Sequence, residues 1–271
     1  MKTTSFYSRF TIHSMSVDYE ERGGVAFVRL NRPGRRNALT AGMLDQLAQV
    51  FASVRGRRDL RAVVVAGAGP HFCAGSDIAE LQTLDAEGAR SRSVRGQSLC
   101  DAIESCGVPV IAAIGGAAAG GGCELALACH LRVADEDAFF SLPETVLGLI
   151  PAYGGTQRLP RATGHAAALS AMLANDRITA RDALRLGLVN LVVPAGEAPA
   201  KAEELARRIA DEAAPLAVRA CLEAVTRGAQ LPLADGLALE TELFAGLFAT
   251  EDAREGTRAF LEKRRPVFKG N

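Results

Sequence analysis

The chain has no excess of charge of either sign: 31 Lys and Arg residues face 31 Asp and Glu over 271 positions. That balance removes the global positive field that drives nonspecific binding to nucleic acid or anionic membrane, leaving only a local basic patch as a route to either. No apolar run reaches the roughly 18 to 20 residues needed to cross a bilayer, and the polar opening MKTTSFYSRFTIHSM lacks the apolar centre of a secretory signal. The expectation is a cytoplasmic protein with no membrane or nucleic-acid partner and a loose tail over residues 1–15, with Met15 as a second possible start. The cysteines Cys73, Cys100, Cys106, Cys123, Cys129 and Cys221 include no CxxC pair, and the histidines are scattered, so neither a metal centre nor a disulfide framework is expected. Cys129 and His130 are adjacent, and neighbours on a helix or strand point apart, which argues against a ligand pair. No internal repeat or low-complexity tract is present. Neither the glycines at 115–122 nor GAGPHF at 67–72 fits GxGxxG, and there is no GxxxxGK, so nucleotide loops of those two kinds are excluded.

What the chain does have is core material: 48% hydrophobic and 23% charged residues, in a length that buries roughly 70 to 75% of its unfolded surface. Val17–Glu21 and Val25–Leu30 alternate in polarity around RGG and predict a hairpin. Thr40 caps a predicted helix with Leu44, Leu47, Phe51 and Val54 on one face, and LRAVVVAG follows as a strand apolar enough to be buried on both sides. The order recurs when a helical stretch with Val94, Leu99 and Ile103 precedes VPVIAAI. This alternation predicts an α/β architecture. Thr179 with Asp182 resembles a capping box, with Gly187 ending that helix. Beyond residue 195 the pattern is helical over Glu197–Asp211, Pro215–Arg227, Pro232–Phe248 and Glu251–Arg264; Pro215 suits a first turn, Thr250 a cap and Pro266 a stop.

Three stretches can carry chemistry. In GGAAAGGGCELALAC, residues 115–129, a glycine run leads into what reads as a helix start, with Glu124 entering an apolar sequence. Glycines let a ligand approach the backbone, and the first amides of a helix lack internal partners, so they can face a developing negative charge. The same glycines would also serve close packing of strand against helix, and spacing alone does not separate the two. HFCAGSDI, residues 71–78, follows a buried strand, where loops of open α/β folds collect ligands, although such a loop also serves as a turn and helix cap. In SLPETVLGLIPAYGGTQRL, residues 141–159, Glu144 is flanked by apolar residues. A carboxyl group in such surroundings holds its proton to higher pH, as general acid catalysis near neutrality requires; a solvated or ion-paired Glu is the alternative for both Glu124 and Glu144.

Together with NRPGRRNAL, DRITARDALRLGLVN and FATEDAREGTRAFLEKRRPVF, these stretches resemble the crotonase superfamily, the enoyl-CoA hydratase/isomerase family, along nearly the whole chain. The resemblance implies an α/β crotonase-like (ββα) spiral core over residues 16–195 and a helical trimerisation region over 196–271, giving a homotrimer or a dimer of trimers. It implies Glu124 and Glu144 as catalytic carboxylates holding a water between them, and the backbone N–H groups of Ser76 and Gly121 as an oxyanion hole. Acyl-CoA is the substrate and no cofactor is implied. Coenzyme A would lie along Arg35, Arg36, Ala38 and Leu39 and along Ala74, Ser76, Asp77 and Ile78, with Phe260 and Lys263 lent by a neighbouring subunit. The acyl group would meet residues from Leu84 to Ser98.

The presence of both glutamates favours a 2-enoyl-CoA hydratase. An enoyl-CoA isomerase, a specialised acyl-CoA dehydratase or lyase, and a noncatalytic coenzyme A- or RNA-binding protein are the alternatives. Three positions depart from the family pattern: Gly34, where relatives often carry Lys, Gly115, where many carry Asn, and Ser141, where many carry Gly.

Overall fold

The computed structural model describes residues 16–271 and the backbone of residues 11–13. Strand β1 (Thr11–His13) pairs antiparallel with β2 (Val17–Arg22), so part of the segment expected to be a loose tail is a sheet edge; the rest of residues 1–15 lies outside the described residues. β2 turns into β3 (Val25–Leu30) through Gly23 and Gly24, at φ +60° and +75°. Both are left-handed, which a two-residue hairpin loop of this hand requires and glycine supplies without strain.

Helix α1 (Ala41–Val54) is capped by Thr40, whose hydroxyl accepts from the Met43 N–H at 3.1 Å, and it buries Leu44, Leu47, Phe51 and Val54. The apolar strand β4 (Ala62–Gly67) runs parallel to β3. After the short α2 (Ile78–Leu81), α3 (Ala86–Glu104) leads to β5 (Val110–Ile114), parallel to β4. On α3 the buried stripe is Arg92, Gly96, Leu99, Cys100 and Ile103. Val94, read beside Leu99 and Ile103, instead faces outward with 57% of its surface exposed.

There follow β6 (Ala117–Ala119), α4 (Gly121–Ala128), β7 (Leu131–Asp135), β8 (Phe139–Ser141), α5 (Gly155–Thr163), α6 (His165–Leu173), β9 (Ile178–Thr179), α7 (Ala180–Arg185) and β10 (Leu191–Val193). The main sheet runs β1-β2-β3-β4-β5-β7-β10, parallel from β3 onward, while β6, β8 and β9 form a second sheet. Because side chains alternate along a strand, Val63 and Val65 of β4 enter the core with α1 and α3. Ala62 and Val64 face the opposite way, toward Ala198, Ala202 and Ala206 of α8 (Ala198–Glu212).

That packing corrects the expected boundary after residue 195: α8 covers a face of the sheet and belongs to the core. The next two helices, α9 (Pro215–Gly228) and α10 (Leu233–Leu247), bury no residue and pack mainly on each other. α11 (Glu251–Leu261) is capped by Thr250 and stops before the expected Arg264. Lys263 is left-handed at φ +54° and the Arg264 N–H returns to the Ala259 carbonyl at 3.0 Å. This closing bond ends the helix ahead of Pro266. Five of the cysteines are buried and Cys221, on α9, is exposed.

One side chain fixes the chain between β3 and α1. Asn37, fully buried and left-handed at φ +58°, donates through Nδ2 to the carbonyls of Ala68, His71 and Phe72 at 2.9, 2.8 and 3.2 Å. Its Oδ1 accepts from the Arg32 N–H at 2.9 Å. Replacing Asn37 by Ala strands these groups and retains an unfavourable φ, so Asn37→Ala is expected to lower unfolding free energy by about 2–4 kcal/mol in denaturant titration.

Candidate active site

The site is assembled at the carboxyl ends of β4 and β5. The segment after β4 lies along β6: the Cys73 N–H donates to the Ala117 carbonyl at 3.0 Å and the Ala119 N–H to the Cys73 carbonyl at 2.9 Å. Backbone approaches this close that side chains must be absent. A Cβ on Gly75, itself at φ +100°, would stand 2.8 Å from the Ala119 carbonyl, and one on Gly122 would stand 2.6 Å from Cys73 Cβ. Close packing, one of the two roles left open for the glycines, is therefore present here. The N–H groups of Ser76 and of Gly121, the first residue of α4, have no acceptor among the described residues. They come from the two touching loops, and both residues line the same cavity.

Helix α4 is buried along its whole length, and Glu124 on it is only 1% exposed. Its Oε1 accepts from the amides of Tyr153 at 2.7 Å and Gly155 at 2.6 Å. Burial raises the Glu124 pKa and these backbone donors oppose the rise. Glu144 opens the 3-10 turn Glu144–Leu147, its Oε1 2.9 Å from where a Cβ on Gly120 would lie. Its Oε2 is buried with no partner among the described residues. Burial pushes the Glu144 carboxyl up to about 7, and the neighbouring Glu124 charge adds to the rise. Two carboxyl groups thus face one cavity, one gripped by amides and one able to carry a proton near neutrality.

That cavity has a volume of about 370 Å³. Ser76, Gly121, Glu124 and Glu144 all line it, as do Leu84, Ala89, Arg92 and Ser93 from the segment expected to meet the acyl group. Leu147, Leu149 and Ile150 give the opposite wall an apolar character.

The residues expected to hold coenzyme A divide into three sets. The 32–39 and 74–78 segments are laced together, with the Ala74 N–H donating to the Arg36 carbonyl, the Leu39 N–H to the Gly75 carbonyl and the Asp77 N–H to the Leu39 carbonyl at 2.7–2.9 Å. Arg35 and Arg36 are exposed, and Ala38, Ala74 and Ile78 reach the surface in part or in full. Leu39 corrects the expectation of a side-chain contact, since its side chain is fully buried in the core and its N–H and carbonyl are taken up by Gly75, Asp77 and Arg92. The Asp77 carboxylate is occupied, pairing with Arg32 at 3.1 Å and capping α2 at the Ala79 N–H; these contacts hold its pKa below the usual carboxylate range against partial desolvation. Phe260, 83% exposed, and Lys263 lie at the end of α11 and do not line this cavity.

Of the departures, Gly34 meets nothing within 4 Å, so a longer side chain there would extend freely. A Cβ on Gly115 would stand 3.3 Å from Asp135 Oδ2 and the Pro70 carbonyl, and Ser141 uses its carbonyl to hold the Gly120 N–H at 2.9 Å.

Three contributors escaped the sequence reading. Arg92 and Tyr153 are buried in the cavity wall, and Asn37 staples the loop behind it. The family model described as enoyl-CoA hydratase/isomerase matches residues 20–271. The chain belongs to the enoyl-CoA hydratase/isomerase family. It is 39% identical over 251 residues to a short-chain-enoyl-CoA hydratase of Clostridium acetobutylicum, covering 92% of this chain and 96% of that one. It is also 39% identical over 254 residues to a crotonyl-CoA hydratase of Syntrophomonas wolfei, covering 93% and 97%. A solved enoyl-CoA hydratase from Bacillus anthracis superposes with a TM-score of 0.91 at 38% identity, over 94% of this chain and all of that one. The α/β family fold, with its C-terminal helices, is therefore that of this enzyme.

The raised Glu144 pKa has a sign that can be measured in stability. Its folded value, about 7, lies above the 4.5 of an unperturbed Glu, so the native state holds the extra proton between those limits and loses relative stability as pH rises through them. Glu144→Gln is expected to be about 1–3 kcal/mol more stable than the parent at pH 8, with the advantage fading as pH falls to about 4.5, read from paired denaturant titrations.

Proposed function

We propose that the enzyme is an enoyl-CoA hydratase that adds water reversibly and syn to a 2-enoyl-CoA thioester, giving the 3-hydroxyacyl-CoA. The observation that carries this reading is the meeting, on one cavity, of two carboxyl groups of raised pKa, one buried and one half-buried, and two amides without acceptors among the described residues. Attack of water on the β-carbon drives the electron pair of the double bond toward the thioester oxygen, where the Ser76 and Gly121 N–H groups stabilise the enolate. Loss of one such donor costs on the order of 10² to 10³ in rate. Ionised Glu124 takes the proton of the attacking water, and protonated Glu144 delivers one to the α-carbon. Hydroxyl is thereby added at the β-carbon and hydrogen at the α-carbon, and the same groups serve elimination in reverse. No cofactor takes part, since acyl-CoA is itself the substrate.

In this reading Arg35 and Arg36 meet the phosphates, while the backbones of Ala38, Leu39, Ala74 and Ser76, with Ile78, flank the pantetheine and adenine. Asp77 acts through Arg32, which it positions. The exposed apolar side chains of α9 and α10, among them Val225, Leu233, Leu237 and Phe244, support a homotrimer or dimer of trimers, in which Phe260 and Lys263 reach a neighbour's coenzyme A. A trimer or hexamer mass in sedimentation would support that assembly; a monomer at micromolar concentration would refute it. Among the described residues no helix is long and apolar enough to cross a membrane, and the location belonging to this proposal is the cytoplasm.

Purified protein should remove the enoyl absorbance of crotonyl-CoA, and Glu144→Gln should lower kcat by on the order of 10² to 10⁴. Because Glu144 acts protonated, hydration should decline as pH rises through about 7. A parent enzyme that turns over 3-enoyl-CoA alone would make it an isomerase, and equal rates in parent and Glu144→Gln would refute the assigned roles.

A further inference from the structure

Tyr153 and Arg92 have no part in the mechanism above, yet both line the cavity and are nearly sealed, 3% and 7% exposed. Arg92 Nε donates to the Tyr153 hydroxyl at 2.7 Å, and that hydroxyl lies 2.8 Å from Ser76 Oγ. The guanidinium is anchored at its other nitrogens, Nη1 on Glu80 at 2.9 Å and Nη2 on the Leu39 carbonyl at 2.6 Å. The ring itself is locked between two helices. A Cβ on Gly96 of α3 would overlap it, and one on Gly121 of α4 would stand 2.8 Å from its edge.

Counting protons makes this cluster more than a brace. A guanidinium only donates, so the Arg92 contact uses a lone pair of Tyr153 and no hydroxyl proton. The two hydroxyls carry two protons and the bond between them uses one. The other has no acceptor among the described residues, although both oxygens belong to residues on the cavity wall. Accepting from a charged donor strengthens the Tyr153 O–H as a donor in turn. Tyr153 then donates to Ser76, and the unused proton is that of Ser76. Its Oγ lies 3.4 Å from where a Cβ on Gly121, the residue of the second amide, would be.

We propose that the Ser76 hydroxyl, oriented by Tyr153 and Arg92, is a third hydrogen-bond donor to the thioester oxygen of the bound acyl-CoA. The proposal rests on the reading of Ser76 and Gly121 as oxyanion donors, and it turns a two-amide site into one with a side-chain donor from the same residue. Ser76 is then a catalytic residue through both its groups, and Tyr153 and Arg92 are positioning residues. Because the ring is wedged and the guanidinium anchored, the donor is aimed before substrate arrives, the condition under which such a bond favours the transition state over the ground state.

The test uses Ser76→Ala and Tyr153→Phe in the full-length protein, both conservative in volume. The deciding measurement is the isotope-edited carbonyl stretch of bound butyryl-CoA, with crotonyl-CoA kinetics beside it. Ser76→Ala is expected to return the stretch part of the way toward its solution position and to lower kcat about 10- to 100-fold. Affinity for butyryl-CoA should stay within about threefold, because ground-state binding changes less than transition-state binding. Tyr153→Phe should move the stretch in the same direction by a smaller amount. A stretch unmoved by Ser76→Ala overturns the proposal whatever happens to the rate, since the residue would then serve structure alone. If the parent hydrates no enoyl-CoA while the stretch still responds to Ser76→Ala, the hydratase reading fails and the donor stands.

Discussion

The site depends on keeping a carboxyl group on a helix that is buried along its whole length. Glu124 tolerates burial because the amides of Tyr153 and Gly155 both point at one of its oxygens. Those amides can do so only if the chain from Pro151 to Gly155 folds tightly against α4. Gly155 has no side chain for that reason, since a Cβ there would stand 3.0 Å from Glu124 Oε1. The contact that offsets desolvation of Glu124 therefore also determines where the Tyr153 ring lies, and with it the wall of the cavity. A substitution that displaced Glu124 would release the loop as well as remove a carboxyl group from the cavity.

The second carboxyl group is placed by opposite means. Glu144 begins a short turn and receives no donor at Oε2, so burial acts on it with little compensation and its proton stays bound near neutrality. Two chemically identical side chains thus sit in different surroundings: backbone amides hold one, while an oxygen of the other is buried with no partner among the described residues. Glycine at 75, 120, 121 and 122 lets three backbone segments converge between them. The convergence leaves two N–H groups without acceptors among the described residues beside the gap.

Much of this was legible in the sequence where the information is local. Thr40 capping α1, Gly23 and Gly24 turning the hairpin and the apolar run of β4 are each determined by neighbours a few residues away, and the structure contains them as read. The glutamates and glycine run were legible as motifs, although only the packed structure shows the close packing there. What stayed hidden depends on contacts remote in the chain. Arg92 meets Tyr153 across 61 positions, and Tyr153 meets Ser76 across 77. A charged residue on the inner stripe of α3 also contradicts the apolar periodicity used to find that stripe, so Val94 was read inward where Arg92 belongs. The end of α11 escaped because a left-handed Lys has no strong sequence signature. The strand at residues 11–13 escaped because so short a polar segment has no alternation to read, and its pairing is supplied by β2.

The distribution of sulfur has a practical consequence. Five thiols lie inside, with burial raising the pKa of each, which suppresses the reactive thiolate. Cys221 alone is exposed, on α9 and at the edge of an apolar groove shared with Val218 and Leu222. The natural chain thus carries its own address for a fluorophore or spin label, on the helix pair that stands away from the sheet. A probe attached there would watch that surface become covered, with no engineered cysteine and no disturbance of the catalytic cavity.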